Sequence, residues 1–108
     1  MKRGDIVTVS ASGDYGKPRP AVVIQSDRLR STNSVLVSLF TSSLVDAPLF
    51  RLLIEPSETN GLKLPSQIMV DKIIAIPRDK CGAVIGSIDE VALIALNHML
   101  AVIVGIAD

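Results

Sequence analysis

A chain of 108 residues with 48% hydrophobic residues is sized for one domain around one packed interior, and residues 1–108 are taken as a single unit. Its 11 basic and 11 acidic residues cancel, which excludes the overall positive charge of a non-specific nucleic-acid binder but leaves room for a local basic site. Tyr15, Phe40 and Phe50 are its only aromatic residues, which argues against a base-stacking platform. Cys81 stands alone, so no internal disulfide can form, and no CxxC or Cys/His spacing suggests a metal. No cofactor is expected. The first residues, Met-Lys-Arg-Gly-Asp, lack the apolar region of a signal peptide. The apolar stretch 91–106 is short for a membrane span and is interrupted by Asn97 and His98. A cytoplasmic protein without membrane attachment is expected.

In chain order, Ile6–Ser10 and Ala21–Gln25 read as the first two strands, being short and rich in β-branched residues. Ser34–Phe40 alternates and ends in the polar turn Thr41-Ser42-Ser43, and Phe50–Ile54 stops at Glu55-Pro56. Pro56–Pro65, with Asn60-Gly61 inside it, reads as a loop. Two short strands, Gln67–Val70 and Ile73–Ile76, are expected on either side of Asp71-Lys72. Cys81, between Lys80 and Gly82, is placed in a loop. Five or six short strands in succession predict a small, strongly curved sheet or barrel.

Ser87 and Glu90 have the spacing of a capping box, so a helix is expected to open at Ser87 and run from Ile88 to Val104. Val91, Leu93, Ile94, Leu96, Leu100 and Ile103 surround most of its circumference. One face would cover the sheet and the rest a second subunit, which predicts a dimer. His98, the only histidine, is expected in the core or at that interface.

The segment 13–26 carries the strongest local signal. Gly13 and Gly16 allow a sharp turn, and Pro18 and Pro20 restrict Lys17 and Arg19 to extended backbone just ahead of a buried strand. A guanidinium held in this way suits phosphate or carboxylate recognition. Strand capping or pairing with an acidic neighbour accounts for Arg19 equally well.

Arg3-Gly4-Asp5-Ile6-Val7, Lys17-Pro18-Arg19-Pro20-Ala21-Val22-Val23-Ile24, Phe40-Thr41-Ser42 and Ser66-Gln67-Ile68-Met69-Val70-Asp71-Lys72, in this order, resemble the MazF/PemK family along the full length. The resemblance implies a mainly β fold, an SH3-like curved barrel with a C-terminal α-helix. It implies the toxin of a type II toxin–antitoxin pair: a cytoplasmic, homodimeric, sequence-selective endoribonuclease (mRNA interferase) that cuts single-stranded RNA without metal. In that chemistry the 2′-hydroxyl attacks the adjacent phosphorus and leaves a 2′,3′-cyclic phosphate and a 5′-hydroxyl. By matching motif, Arg19 and Thr41 are the implied catalytic residues, one for electrostatic stabilisation and one as a hydroxyl donor, with Asp71 as base or orienting partner. Lys17, Tyr15, Ser42 and Arg28 are the implied RNA contacts, and a cognate antitoxin is the implied protein partner. Two other readings stand beside this one: a toxin of the same fold that binds DNA gyrase and cuts nothing, and a small barrel acting as a binding module. On residue type alone, Thr41-Ser42-Ser43 reads as an ordinary polar turn. On the same footing Asp71 reads as an acidic turn residue between strands, and Arg28 with Arg30, or Arg78 with Lys80, as solvated surface charge.

Overall fold

Short runs of Val, Ile and Leu separated by proline- and serine-containing turns fold into six antiparallel strands, followed by one helix. The computed structural model of the chain describes residues 1–10 and 17–108. Tyr15 and the turn expected at Gly13 and Gly16 lie outside the described residues. The strands are β1 (Asp5–Val9), β2 (Arg19–Val23), β3 (Ser34–Thr41), β4 (Arg51–Ile54), β5 (Ser66–Pro77) and β6 (Cys81–Ser87), and α1 spans Glu90–Ile103. They form one sheet in the order β4-β5-β3-β2-β1-β6. No helix among the described residues is long and apolar enough to cross a membrane.

Three elements differ from their sequence reading. The two strands expected around Asp71-Lys72 are one strand, β5. It stays paired with β3 on both sides of a register shift between Ser38 and Phe40, so the polar pair marks a bulge rather than a turn. Cys81 is not in a loop but opens β6, which pairs with β1 from Asp5↔Ser87 to Val9↔Cys81. Gly82 and Gly86 disguise that strand in the sequence, because glycine is a poor strand former. The helix cap is Asp89 rather than Ser87. Ser87 remains in the sheet, its N–H donating to the Thr59 carbonyl at 3.0 Å. Asp89, still extended, accepts the Ala92 N–H through its carboxylate at 2.8 Å.

The sheet buries side chains on both faces. Ile6, Val22, Phe40, Ile68 and Val70 pack with Leu96 of α1, and Leu93, Leu100 and Ile103 extend that layer. Val7, Val9, Ala21, Val23, Val35 and Val37 pack together on the opposite face. The strong curvature leaves β4 and β6 as the two edges, and the loop 55–65 spans them. Asn60, 5% exposed, holds this loop together. Its amide donates to the Glu55 carbonyl at 2.8 Å, and its side-chain oxygen accepts the N–H groups of Ser57 and Leu62, each at 3.0 Å. The expected barrel is therefore an open curved sheet closed by a loop.

That closure is a main-chain contact. A Cβ at Gly61, whose φ is +69°, would fall on the Ile85 carbonyl oxygen, and a Cβ at Gly86 would fall on the backbone of Thr59 and Asn60. Only glycine permits so close an approach. Gly86→Ala should therefore destabilise the fold by about 1–3 kcal/mol, the usual cost of overpacking. At roughly 4–8 °C per kcal/mol for a domain of this size, the loss is visible in a thermal melt followed by circular dichroism. An unchanged melting temperature would show that the loop does not press on β6.

Candidate functional site

β2 and β3 pair at Ala21↔Leu39, Val22↔Ser38 and Val23↔Val37, and the ladder stops there although both strands continue. Extending the register by two residues sets Arg19 opposite Thr41. Pro20 lies between, with no N–H to offer a neighbour. From this point β2 follows β1, through Thr8↔Pro20 and Val9↔Arg19. β3 follows β5, through Phe40↔Ile68 and Thr41↔Gln67, beyond the register shift between Ser38 and Phe40. The two strands part, and a groove of about 570 Å³ opens between Arg19 and Thr41.

One wall of the groove carries Arg19, Pro20 and Thr8, another Phe40, Thr41, Ser42 and Ser43. The loop segment Gly61–Leu64 lies across from them, with Ser66 and Ile85 nearby. Arg19 is exposed, so its charge faces a ligand without a large desolvation cost. The Thr41 hydroxyl accepts the Ser43 N–H at 3.1 Å. That contact is the ordinary turn bond expected of such a tripeptide. It also occupies an acceptor site of the oxygen and leaves the hydroxyl proton to donate. A cation and an O–H donor therefore line one apolar-floored groove, an arrangement suited to an anionic tetrahedral or pentacoordinate group.

The structure brings Arg19, Thr41 and Ser42 together; the other residues singled out in the sequence are elsewhere. Asp71 is exposed on β5 beside the bulge and is not among the groove residues. Lys17 is exposed two residues before β2 and does not line the groove. Arg28 follows the far end of β2, which separates it from Arg19 by more than about 13 Å of strand rise; its N–H donates to the Ser26 hydroxyl. Arg30 and Arg78 meet at that far end, beside Lys2 and Asp27, where the Arg78 guanidinium is tied to the Thr32 and Leu29 carbonyls. Tyr15 lies outside the described residues. His98 is exposed on α1 and does not enter this subunit's core. Lys63 was missed by the sequence reading. Its only signal was a basic residue two positions after Asn60-Gly61, and its role depends on the loop's closure onto β6. Among the described residues, no three His, Cys, Asp or Glu side chains gather where a metal ion could be held.

Residues 2–104 match the family described as PemK-like, MazF-like toxin of type II toxin-antitoxin system. A probable endoribonuclease MazF of Mycolicibacterium smegmatis is 44% identical over 99% of both chains. Among solved structures, a mycobacterial endoribonuclease in complex with its cognate antitoxin superposes with a TM-score of 0.83 at 20% identity, covering 100% of this chain and 98% of that one. The MazE-MazF structure from Deinococcus radiodurans gives a TM-score of 0.77 at 16% identity, covering 99% of this chain and 98% of that one. Both structures have the same fold as this chain.

Cys81 is half-buried opposite Val9 and away from the groove. Burial pushes its thiol pKa up, with Arg78 opposing that rise and Asp79 adding to it. The thiol is therefore protonated at neutral pH and is no nucleophile. Iodoacetamide at pH 7.5 should modify it several-fold more slowly than free cysteine. A faster rate would mean a thiolate stabilised in a way the fold does not provide.

Proposed function

The chain belongs to the PemK/MazF family of type II toxins, and from that membership and the groove between Arg19 and Thr41 we propose that it is an endoribonuclease that cleaves single-stranded RNA at selected sequences. The observation that carries this reading is the presence of a permanent cation and a hydroxyl donor on the two sides of one parted strand pair. The scissile phosphate sits between them. The ribose 2′-oxygen attacks phosphorus as its proton leaves, the P–O5′ bond breaks, and the departing 5′-oxygen takes up a proton. The products are a 2′,3′-cyclic phosphate and a 5′-hydroxyl.

Negative charge grows on the non-bridging oxygens during the attack. The Arg19 fork donates to one of the two and the Thr41 hydroxyl to the other; donors fixed beforehand are commonly the largest catalytic contribution. Arg19 scarcely deprotonates, so its role is electrostatic rather than proton transfer. Lys63 on the facing loop contacts a flanking phosphate, and Ser42 extends the polar wall. Sequence preference comes from the shape of the wall formed by Gly61–Leu64. The reaction takes place in the cytoplasm and uses no metal.

The partner of this chain is a cognate antitoxin, as in the mycobacterial complex that shares its fold. An antitoxin segment with acidic and apolar side chains fits a groove bearing Arg19 and Lys63 beside Phe40 and Leu64. The toxin is a homodimer. On α1, Val91 and Ile94 are 79% and 62% exposed, and this apolar strip is the face a second copy covers.

Arg19→Ala should abolish toxicity and lower the cleavage rate by two to three decades, about 3–4 kcal/mol, with the protein still folded; Thr41→Val should act similarly with RNA affinity less affected. Cleavage should persist in EDTA and fail on an RNA whose ribose at the cut site lacks the 2′-hydroxyl. Normal cleavage of that deoxy substrate would exclude internal attack, and intact RNA with wild-type protein would leave the gyrase-binding reading.

Assembly has a separate test. Leu96 is fully buried in the subunit, so Leu96→Asp should unfold the protein, since an unpaired buried charge costs several kcal/mol. Ile94→Asp should leave the subunit folded and shift a wild-type dimer to monomer in sedimentation at micromolar concentration. A wild-type monomer would remove the proposed interface.

A further inference from the structure

We propose that Gln67 is a positioning residue for Thr41, acting through the segment 42–50; the inference rests on the nuclease reading above for its effect on catalysis. Gln67 lies on β5 directly opposite Thr41 on one side and Leu53 on the other, so its side chain shares a row with the Thr41 hydroxyl. It is nearly buried, at 9% exposure. An apolar side chain would fill such a site without needing partners, and a buried amide is tolerated only when its polar atoms are satisfied.

Those partners all lie in or beside one segment. The Gln67 amide nitrogen donates to the Val45 carbonyl at 2.8 Å, and its side-chain oxygen accepts the Val45 N–H at 3.1 Å. Arg51 donates to the same oxygen from Nη1 at 3.2 Å. Because guanidinium can only donate, Arg51 fixes which end of the amide is oxygen. Gln67 thus clasps both peptide groups of Val45 much as a neighbouring strand would.

The far end of this segment is tied by the Ala47 carbonyl, which accepts the Phe50 and Arg51 N–H groups, and by the Phe50 carbonyl, which accepts the Val70 N–H; nearer Thr41 little besides Gln67 sets its course. Leu44, Val45 and Leu49 are 49%, 46% and 75% exposed, so core packing does not hold them. Between Thr41 and Val45 lie only Ser42, Ser43 and Leu44, and it is the Ser43 N–H that binds the Thr41 oxygen. Fixing Val45 therefore fixes Ser43, and Ser43 decides which way the Thr41 hydroxyl proton points. Gln67 touches no substrate; it sets the donor that does.

Gln67→Met, similar in length and without hydrogen-bonding capacity, tests this by two readouts. Hydrogen exchange should accelerate at least tenfold at the Ser43 and Val45 amides while β1 to β3 stay within twofold, whether or not RNA is cut. In the wild-type background kcat should fall at least tenfold with KM within threefold. In a Thr41→Val background the same change should cost less than twofold, because the hydroxyl it orients is gone. Unchanged exchange over 42–50, or an equal kcat loss in both backgrounds, overturns the inference. Wild-type protein that cuts no RNA refutes the nuclease reading and with it the catalytic half of this one, leaving exchange to judge the clasp alone. Should Gln67→Met fail to fold, Gln67→Glu, which keeps the acceptor and loses the donor, should show the same pattern. If neither folds, Gln67 serves the core and not Thr41.

Discussion

The parting of β2 from β3 at Pro20 is the constraint on which the site depends. Two antiparallel strands in register would normally stay zipped to their ends, and Arg19 and Thr41 would then be cross-strand neighbours on a continuous sheet. The imino ring removes the donor that would carry the ladder onward, and the bulge beyond Ser38 turns β3 towards β5. Arg19 keeps its partner Val9 in β1, and Thr41 keeps Gln67 in β5. Each of these two side chains is thus carried by a regular strand on its own side of the groove. Sites on strands are positioned more firmly than sites on loops, which suits preorganised electrostatic stabilisation.

The rest of the molecule keeps that gap in shape. Apolar layers pack against the central strands from both sides. On the open side, the loop 55–65 rests on β6 and presents Lys63 and Leu64 to the groove. Polar satisfaction is concentrated where apolar packing runs out. Asn60 organises one groove-lining loop and Gln67 organises the other, each as a buried amide directed at main-chain atoms. The same device is used twice, on opposite walls.

Arg19 and Thr41, which share one groove, drew notice in the sequence because their motifs are local: a cation between two prolines and a strand ending in Thr-Ser. The hydrophobic runs of β1 to β4 were legible for a similar reason, since period and length decide them. What escaped was whatever depended on a distant partner. β6 looked like a loop because its glycines have meaning only against Thr59 and Asn60. Ser87 looked like a cap because nothing nearby reveals that its N–H is committed to Thr59. Asp71 looked like a turn residue or a base because a bulge and a turn share the same polar signature. Lys63 and Gln67 carried no functional mark at all; one gains its role from the closure of a loop, the other from its register with Thr41. Which apolar residues of α1 face the sheet was not legible either; Leu96 is on the side the sheet covers.

The contact between Gly61 and β6 separates where the groove wall stands from what it displays. Its location is written in main-chain atoms, those of Gly61 and Ile85 at the groove among them, and in Asn60. Its chemistry is written in Lys63 and Leu64, which take little part in the anchorage. Substitution at those two positions alters charge, size or hydrogen bonding at the mouth without asking the backbone to move. On the proposed RNA-cleaving function, a lineage of such chains could drift from one RNA preference to another by exchanging a few exposed side chains, while the frame, Arg19 and Thr41 stayed constant. Selectivity would then be a replaceable face on a fixed mount.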